Sequence, residues 1–362
     1  MKKEKQPSFD LIRAVSTFVI VLFHFSYSFV EYSVQGNYIF IMLYANGTWG
    51  SVFVALFFML SGASLIYNHE DMTLKDVPRF YFRRFLAIFP MFYIVWIIVY
   101  ISNSRLLGTW HWGGPNKNYL LSLFGVDGYF MHHGMNYYCI GEWFLGAIIM
   151  IYLLFPLLKF LFMKFRIPST ILLTAVYIFN VYRHLLSSAP DKNLFIVLVK
   201  YYNSHITVPD ARSLWTCIMA FWIGMLIITY RDILIKKWPA LAALVVFLIM
   251  TFINLNLNDI FSATICATAL YILFSFCSER ILRIKAVRWL VNLISRYSYG
   301  IFLVHHVTIY YFMKRFCSIT FNIPLSILVF VFVFAVIILL SIILTEFTNL
   351  LLRRVRTVPK SS

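Results

Sequence analysis

Residues 9–30 read FDLIRAVSTFVIVLFHFSYSFV. The hydrocarbon core of a bilayer takes about 20 mostly apolar residues as a helix, and this run is long enough to cross it. It also holds three ionisable side chains, Asp10, Arg13 and His24. Such groups are costly in lipid, so within a spanning segment they face protein or a water-filled cavity and mark a pathway or a site. Asp10 and Arg13 are three residues apart, neighbours on a helix surface, and can pair near the start of the segment. Arg13 and His24 are eleven apart. At about 100° per residue they fall only about 20° out of line, separated by about 16 Å along the axis. One interior face therefore carries a cation near one end and an imidazole deeper in. A basic start (Lys2, Lys3, Lys5) precedes the run, as in a signal peptide. The length, the buried charges and the lack of a small-residue cleavage site mark an uncleaved first span instead.

The rest of the chain repeats the theme. Of 362 residues, 61% are hydrophobic and 12% charged, and the mean hydropathy is +0.81, which a water-soluble domain could not cover with its own polar surface. Apolar stretches fall at about 9–30, 51–67, 84–101, 143–162, 170–187, 213–230, 238–255, 260–277, 297–313 and 324–350. The expectation is an all-α, polytopic membrane bundle of about ten transmembrane helices, one domain over 1–362 with short cytosolic tails at about 1–8 and 353–362. The net charge of +17 would suit nucleic acid only with a solvated basic face or a reading module, and neither appears. It has a topological reading. With the N-terminus cytosolic and sides alternating, 22 of the 31 Lys and Arg fall inside, eight outside, and Arg13 within the first helix, as the positive-inside rule asks. Membrane lipid is thus a partner and nucleic acid is not. The five cysteines are scattered in or beside apolar runs without Cys-x-x-Cys spacing, and read as small packing residues.

Two connections are long. Residues 102–142 are rich in Trp, Tyr and His, including Trp110, Trp112, His132 and His133, too aromatic for a disordered linker. Residues 188–212 form a more polar excursion with Asp191, His205, Asp210 and Arg212. An interfacial aromatic belt accounts for single Trp and Tyr residues. A cluster of this density also offers flat rings that stack on sugar faces, so Trp110, Trp112 and Trp143 are candidate sugar contacts. Glu142 is a candidate to orient His24 or a sugar hydroxyl, or a solvated interfacial carboxylate. His305 and His306 sit in the ninth span, with His305 a further candidate to meet substrate. A metal site built from them with His132 or His133 matches no defined ligand spacing, and no metal is expected.

Several short blocks resemble the acyltransferase family 3 membrane proteins: FDLIRA at 9–14 with VLFH at 21–24, then VALFFMLSG at 54–62 and RRFLAIFP at 83–90. EWFL at 142–145 with YLLFP at 152–156, and SYGIFLVHH at 298–306, continue the likeness in family order. The resemblance implies a ten-span domain that takes an acyl group, usually acetyl from acetyl-coenzyme A, and passes it to a hydroxyl of a surface glycan or its lipid-linked precursor. It places the family's histidine on His24 and its first-span arginine on Arg13. The family's cytosolic Arg-x-x-Arg motif falls on Arg84 and Ala87, so its second arginine is missing, with Arg79 and Arg83 near enough to substitute.

The chemistry expected is then specific. Coenzyme A phosphates meet Arg84, Arg83 and Arg79 by charge-assisted hydrogen bonds, Arg13 holds the anionic donor, and the thioester reaches toward His24. A neutral imidazole there takes the proton of a carbohydrate hydroxyl, or forms an acyl-histidine relay. In the competing structural reading Arg13 snorkels to headgroups and His24 bonds a neighbouring helix. The alternative functions are a transporter or flippase for a glycan-related solute, which would show paired broken helices, and an acyltransferase of unrelated fold.

Overall fold

A computed structural model describes residues 6–131, 134–137, 139–140, 143–187, 212–316 and 318–356. Among them each expected apolar stretch is a helix: α1 Pro7–Glu31, α2 Trp49–His69, α3 Val77–Leu107, α4 Trp143–Lys164, α5 Arg166–Ser187, α6 Leu214–Thr229, α7 Lys237–Phe252, α8 Asp259–Ile281, α9 Lys285–Arg315 and α10 Ile323–Arg356. Six of these, α1, α2, α3, α4, α8 and α10, are long and apolar enough to cross a membrane by length and composition. The other four differ for identifiable reasons. α6 and α7 are apolar but only 16 residues long, while α5 and α9 dilute their apolar runs with groups such as Asn180, Arg183, Arg288 and Arg296. The protein is an all-α integral membrane bundle. α10 continues as helix to Arg356, past the expected start of the C-terminal tail.

Side-chain contacts fix the helix directions. At one end Gln6 Nε2 donates to Tyr67 Oη at 3.0 Å, joining the start of α1 to the end of α2. The Arg231 guanidinium, just past α6, lies 5.8 Å over the Tyr67 ring, and Arg166, at the start of α5, donates to Tyr230 Oη at 3.2 Å. Arg296 pairs with Glu346 at 2.9 Å, setting the early part of α9 against the late part of α10. At the opposite end Asn180 donates to Thr216 Oγ1 at 3.1 Å, the end of α5 on the start of α6. Ser102 meets Tyr311 at 3.0 Å, the ends of α3 and α9. Odd-numbered helices run one way and even-numbered helices the other, and the end holding the start of α1 collects Arg79, Arg83, Arg84, Arg166 and Arg231.

Close helix approach comes from small residues, as expected where lipid removes the hydrophobic drive between helices. A methyl group on Gly62 of α2 would run into the Phe221 carbonyl of α6, and one on Gly224 would run into the Met59 carbonyl. The two backbones are in direct contact there. The far end is capped by residues 32–48, whose hairpin pairs Leu43 with Thr48 and Tyr44 with Gly47. Buried Asn46 in its turn donates to the carbonyls of Met250 (2.8 Å) and Ile253 (2.6 Å) and accepts from the Leu255 N–H (2.7 Å). Those groups lie at the C-terminal end of α7, where carbonyls lack intrahelical partners. Gly36, at φ +114°, bridges to Phe321 ahead of α10 through a backbone approach that leaves no room for a Cβ.

Candidate active site

α1 is held between two walls. Leu11, Ala14, Val21 and Phe25 bury against Val291, Ile294 and Ile301 of α9, while Ile12 and Ile20 belong to the core shared with α2. α1 and α9 run parallel, and their polar contacts repeat in register. Arg13 Nη1 donates to Ser295 Oγ at 3.2 Å and lies 3.5 Å from Asp10 Oδ1, to which Ser295 Oγ donates at 2.7 Å. Eleven residues on in each helix, the His24 ring stands 4.0 Å from that of His306, centroid to centroid. The Arg13 and Asp10 side chains are 31% and 16% exposed. The expected pairing of Asp10 with Arg13 is therefore present, with Ser295 bracing it, and both members of the eleven-residue interval face α9.

His24 lines a cavity of about 410 Å³ bounded by α1, α2, α6 and α8, within the range of small-ligand pockets. Its wall is mostly apolar, with Tyr27, Ser51, Trp143, Arg212 and Thr216 supplying polar or flat groups. The Arg212 guanidinium lies 5.6 Å over the Trp143 ring. His305 is buried and does not line the cavity. Its ring lies 5.3 Å from His24 and 4.5 Å from His306, and its Nδ1 donates to the Phe302 carbonyl at 2.8 Å. A carbonyl accepts only, so Nδ1 carries the proton and Nε2 is the basic nitrogen of that ring.

The donor candidates sit at the other end. Arg84 Nη2 is 3.5 Å from His69 Nε2, and its guanidinium carbon lies 5.5 Å from the rings of both Phe80 and Tyr152. Aromatic faces and an imidazole thus hold it at the junction of α2, α3 and α4. Arg79 and Arg83 are exposed, as is Ala87. Arg13 does not line the His24 cavity; it and Arg84 lie toward the opposite end of the bundle.

Of the aromatic candidates only Trp143 reaches the cavity. Trp110 and Trp112 belong to a separate cluster over the end of α3. Trp112 Nε1 donates to Ser104 Oγ at 2.9 Å, Tyr100 Oη donates to the Trp110 carbonyl at 2.5 Å, and Tyr119 stacks on Tyr137 at 3.6 Å. Their density is explained by packing against one another, which orders the long connection. That connection is also pinned by buried Asp127, which accepts from Ser122 Oγ and the Gly128 N–H, each at 2.9 Å. Burial pushes the Asp127 carboxyl above the ordinary carboxylate range, opposed by those two donors. Glu142, His132, His133, His205 and Asp210 lie outside the described residues.

Sequence reasoning missed Ser295, the pairing of His306 with His24, and the place of Arg212 at the cavity. Ser295 and His306 repeat on α9 the interval of Arg13 and His24 on α1, a signal visible only once the two helices are paired. Arg212 was noted as part of a polar excursion, and nothing local tied it to Trp143. Cys139, Cys217 and Cys266 are buried, as packing residues should be.

Comparison with known proteins gives one match. A family model described as an acyltransferase domain covers residues 6–346, nearly the whole chain. No curated protein and no solved structure matches.

Proposed function

The chain belongs to acyltransferase family 3, and from that membership we propose that it carries an acyl group, acetyl in our reading, from cytosolic acyl-coenzyme A to a carbohydrate hydroxyl outside the cytosol. The protein is an acyltransferase, so the solute transporter weighed on the sequence gives way. In this reading all ten helices cross the cell membrane as one domain. The end rich in arginine faces the cytosol, consistent with the positive-inside rule. Donor phosphates engage Arg84 with Arg83 and Arg79, Arg13 draws the anionic donor inward, and the acceptor enters the His24 cavity beside Trp143.

The observation that carries the reading is the imidazole of His24 on a cavity wall, about 16 Å along the same helix from Arg13. In the reaction, His24 takes the proton of the acceptor hydroxyl while its oxygen attacks the thioester carbonyl carbon. The C–S bond breaks as the ester C–O bond forms, and the imidazolium returns the proton to the departing thiolate. A positioned base of this kind supplies about 10²–10⁴ in rate.

The test uses purified protein in lipid nanodiscs with radiolabelled acetyl-coenzyme A and surface glycan. The expected result is labelled glycan and one free thiol per transfer, with transfer lost in His24→Ala of unchanged elution and helical content. Full transfer by that variant defeats the role of His24. Absence of transfer from any acyl-coenzyme A by the intact protein defeats the donor.

A further inference from the structure

His24, His305 and His306 bring three imidazole nitrogens within 4.8 Å of one another, at a point where α1 and α9 pack together. We infer that these three side chains form a binding site for a divalent transition-metal ion of the zinc type, and that filling it halts acyl transfer. The second half rests on the role proposed for His24. The first half does not.

The donor set is all imidazole, which suits zinc and its neighbours in the first transition row and not magnesium or calcium, whose sites are built from oxygen. Three protein nitrogens with one open position are a common zinc arrangement, at metal–nitrogen distances of about 2.0–2.1 Å. Tetrahedral bonds of that length put neighbouring nitrogens about 3.3 Å apart, so small side-chain rotations close the present cluster onto an ion. His305 is already prepared for the task. Its Nδ1–H is committed to the Phe302 carbonyl, the kind of outer contact that fixes a ligating histidine's tautomer and orientation. His24 borders the 410 Å³ cavity, which gives an ion an entry path and a fourth ligand position for water. The register of α1 on α9, set eleven residues away by Arg13, Asp10 and Ser295, keeps the three rings in place.

The consequence for catalysis follows from valence. An imidazole nitrogen that donates its lone pair to a metal cannot accept a proton from a hydroxyl. The cluster therefore makes the proposed base a point of reversible inhibition by a metal ion.

The experiment measures metal directly. Protein purified in chelator, reconstituted in nanodiscs, is titrated with Zn²⁺ and separately with Co²⁺, whose visible absorption reports four-coordinate nitrogen ligation. The expected result is one ion per chain, no binding of Mg²⁺, and at least a tenfold loss of affinity in both His306→Gln and His305→Gln. Zn²⁺ should suppress acetyl transfer by the intact protein, with chelator restoring it. Absence of stoichiometric binding, or binding by either glutamine variant as tight as the parent's, overturns the site. Binding that leaves transfer untouched, or chelation that abolishes transfer, overturns the inhibitory role. Binding is read without any acyl donor, so a failed site is told apart from a failed acyltransferase assignment. The Co²⁺ spectrum of the intact protein needs no variant to fold.

Discussion

Replacing Arg13 with Gln should separate two effects that this residue combines. Its guanidinium lies 3.5 Å from the Asp10 carboxylate, a Coulomb attraction of roughly 5 kcal/mol at an effective dielectric of about 20. Desolvation and partial exposure reduce the net contribution to about 2 kcal/mol. Arg13→Gln leaves the Asp10 carboxylate without that cation and should lower the thermal midpoint in a fixed detergent. Neutralising both, as Asp10→Asn with Arg13→Gln, removes the mismatch and should return most of the lost stability. Donor binding should behave differently. A charge-assisted hydrogen bond to a phosphate contributes about 1.5–3 kcal/mol, so loss of the guanidinium should raise the KM for acetyl-coenzyme A about 10- to 150-fold in both variants. The maximum rate should fall less, because His24 sits about 16 Å away. A double variant that regains donor affinity along with stability would refute the assignment of Arg13 to the donor, as would a single variant whose KM stays within twofold.

Three other outcomes are expected. Gly62→Ala pushes a methyl group into the Phe221 carbonyl and should cost about 1–3 kcal/mol, read as a lower unfolding midpoint; an unchanged midpoint would contradict backbone contact between α2 and α6. Asn46→Ala removes three hydrogen bonds of a buried side chain worth about 0.5–1.5 kcal/mol each, and hydrogen exchange at the end of α7 should accelerate. Burial raises the Asp127 carboxyl, so the folded chain binds that proton more tightly than the unfolded one. Its contribution is full below the ordinary carboxylate range and is lost as pH rises through the raised value. Asp127→Asn should therefore gain stability relative to the parent as pH rises above the ordinary carboxylate range, and a pH-independent difference would count against it.

Hydropathy was sufficient to find every long helix among the described residues, because an apolar run of helix length has few other uses. It could not rank them as spans. α9 carries the two histidines that meet His24, and these together with Arg288 and Arg296 lower its apolar score. Helix spacing placed Arg13 and His24 on one face of α1, and the Asp10 pairing followed from a three-residue offset. Nothing along the chain says which helix that face meets. Ser295, and the partnership of His306 with His24, therefore came into view only with tertiary packing. The aromatic connection misled for a physical reason. Tyr100, Trp112, Tyr119 and Tyr137 stack on one another, and composition cannot separate rings that pack together from rings that await a sugar. Trp143, one ring among many in sequence, is the candidate that borders the cavity.

α1 is a single helix from Pro7 to Glu31 with no interior proline, and it bears both the guanidinium and the imidazole. It acts as a stiff rod between two faces of the bilayer. Neither group can swing out of place by backbone motion while the other stays put, because turning or sliding the rod moves both against the fixed row of partners on α9. Any turning of α1 that displaces Arg13 therefore displaces His24 with it.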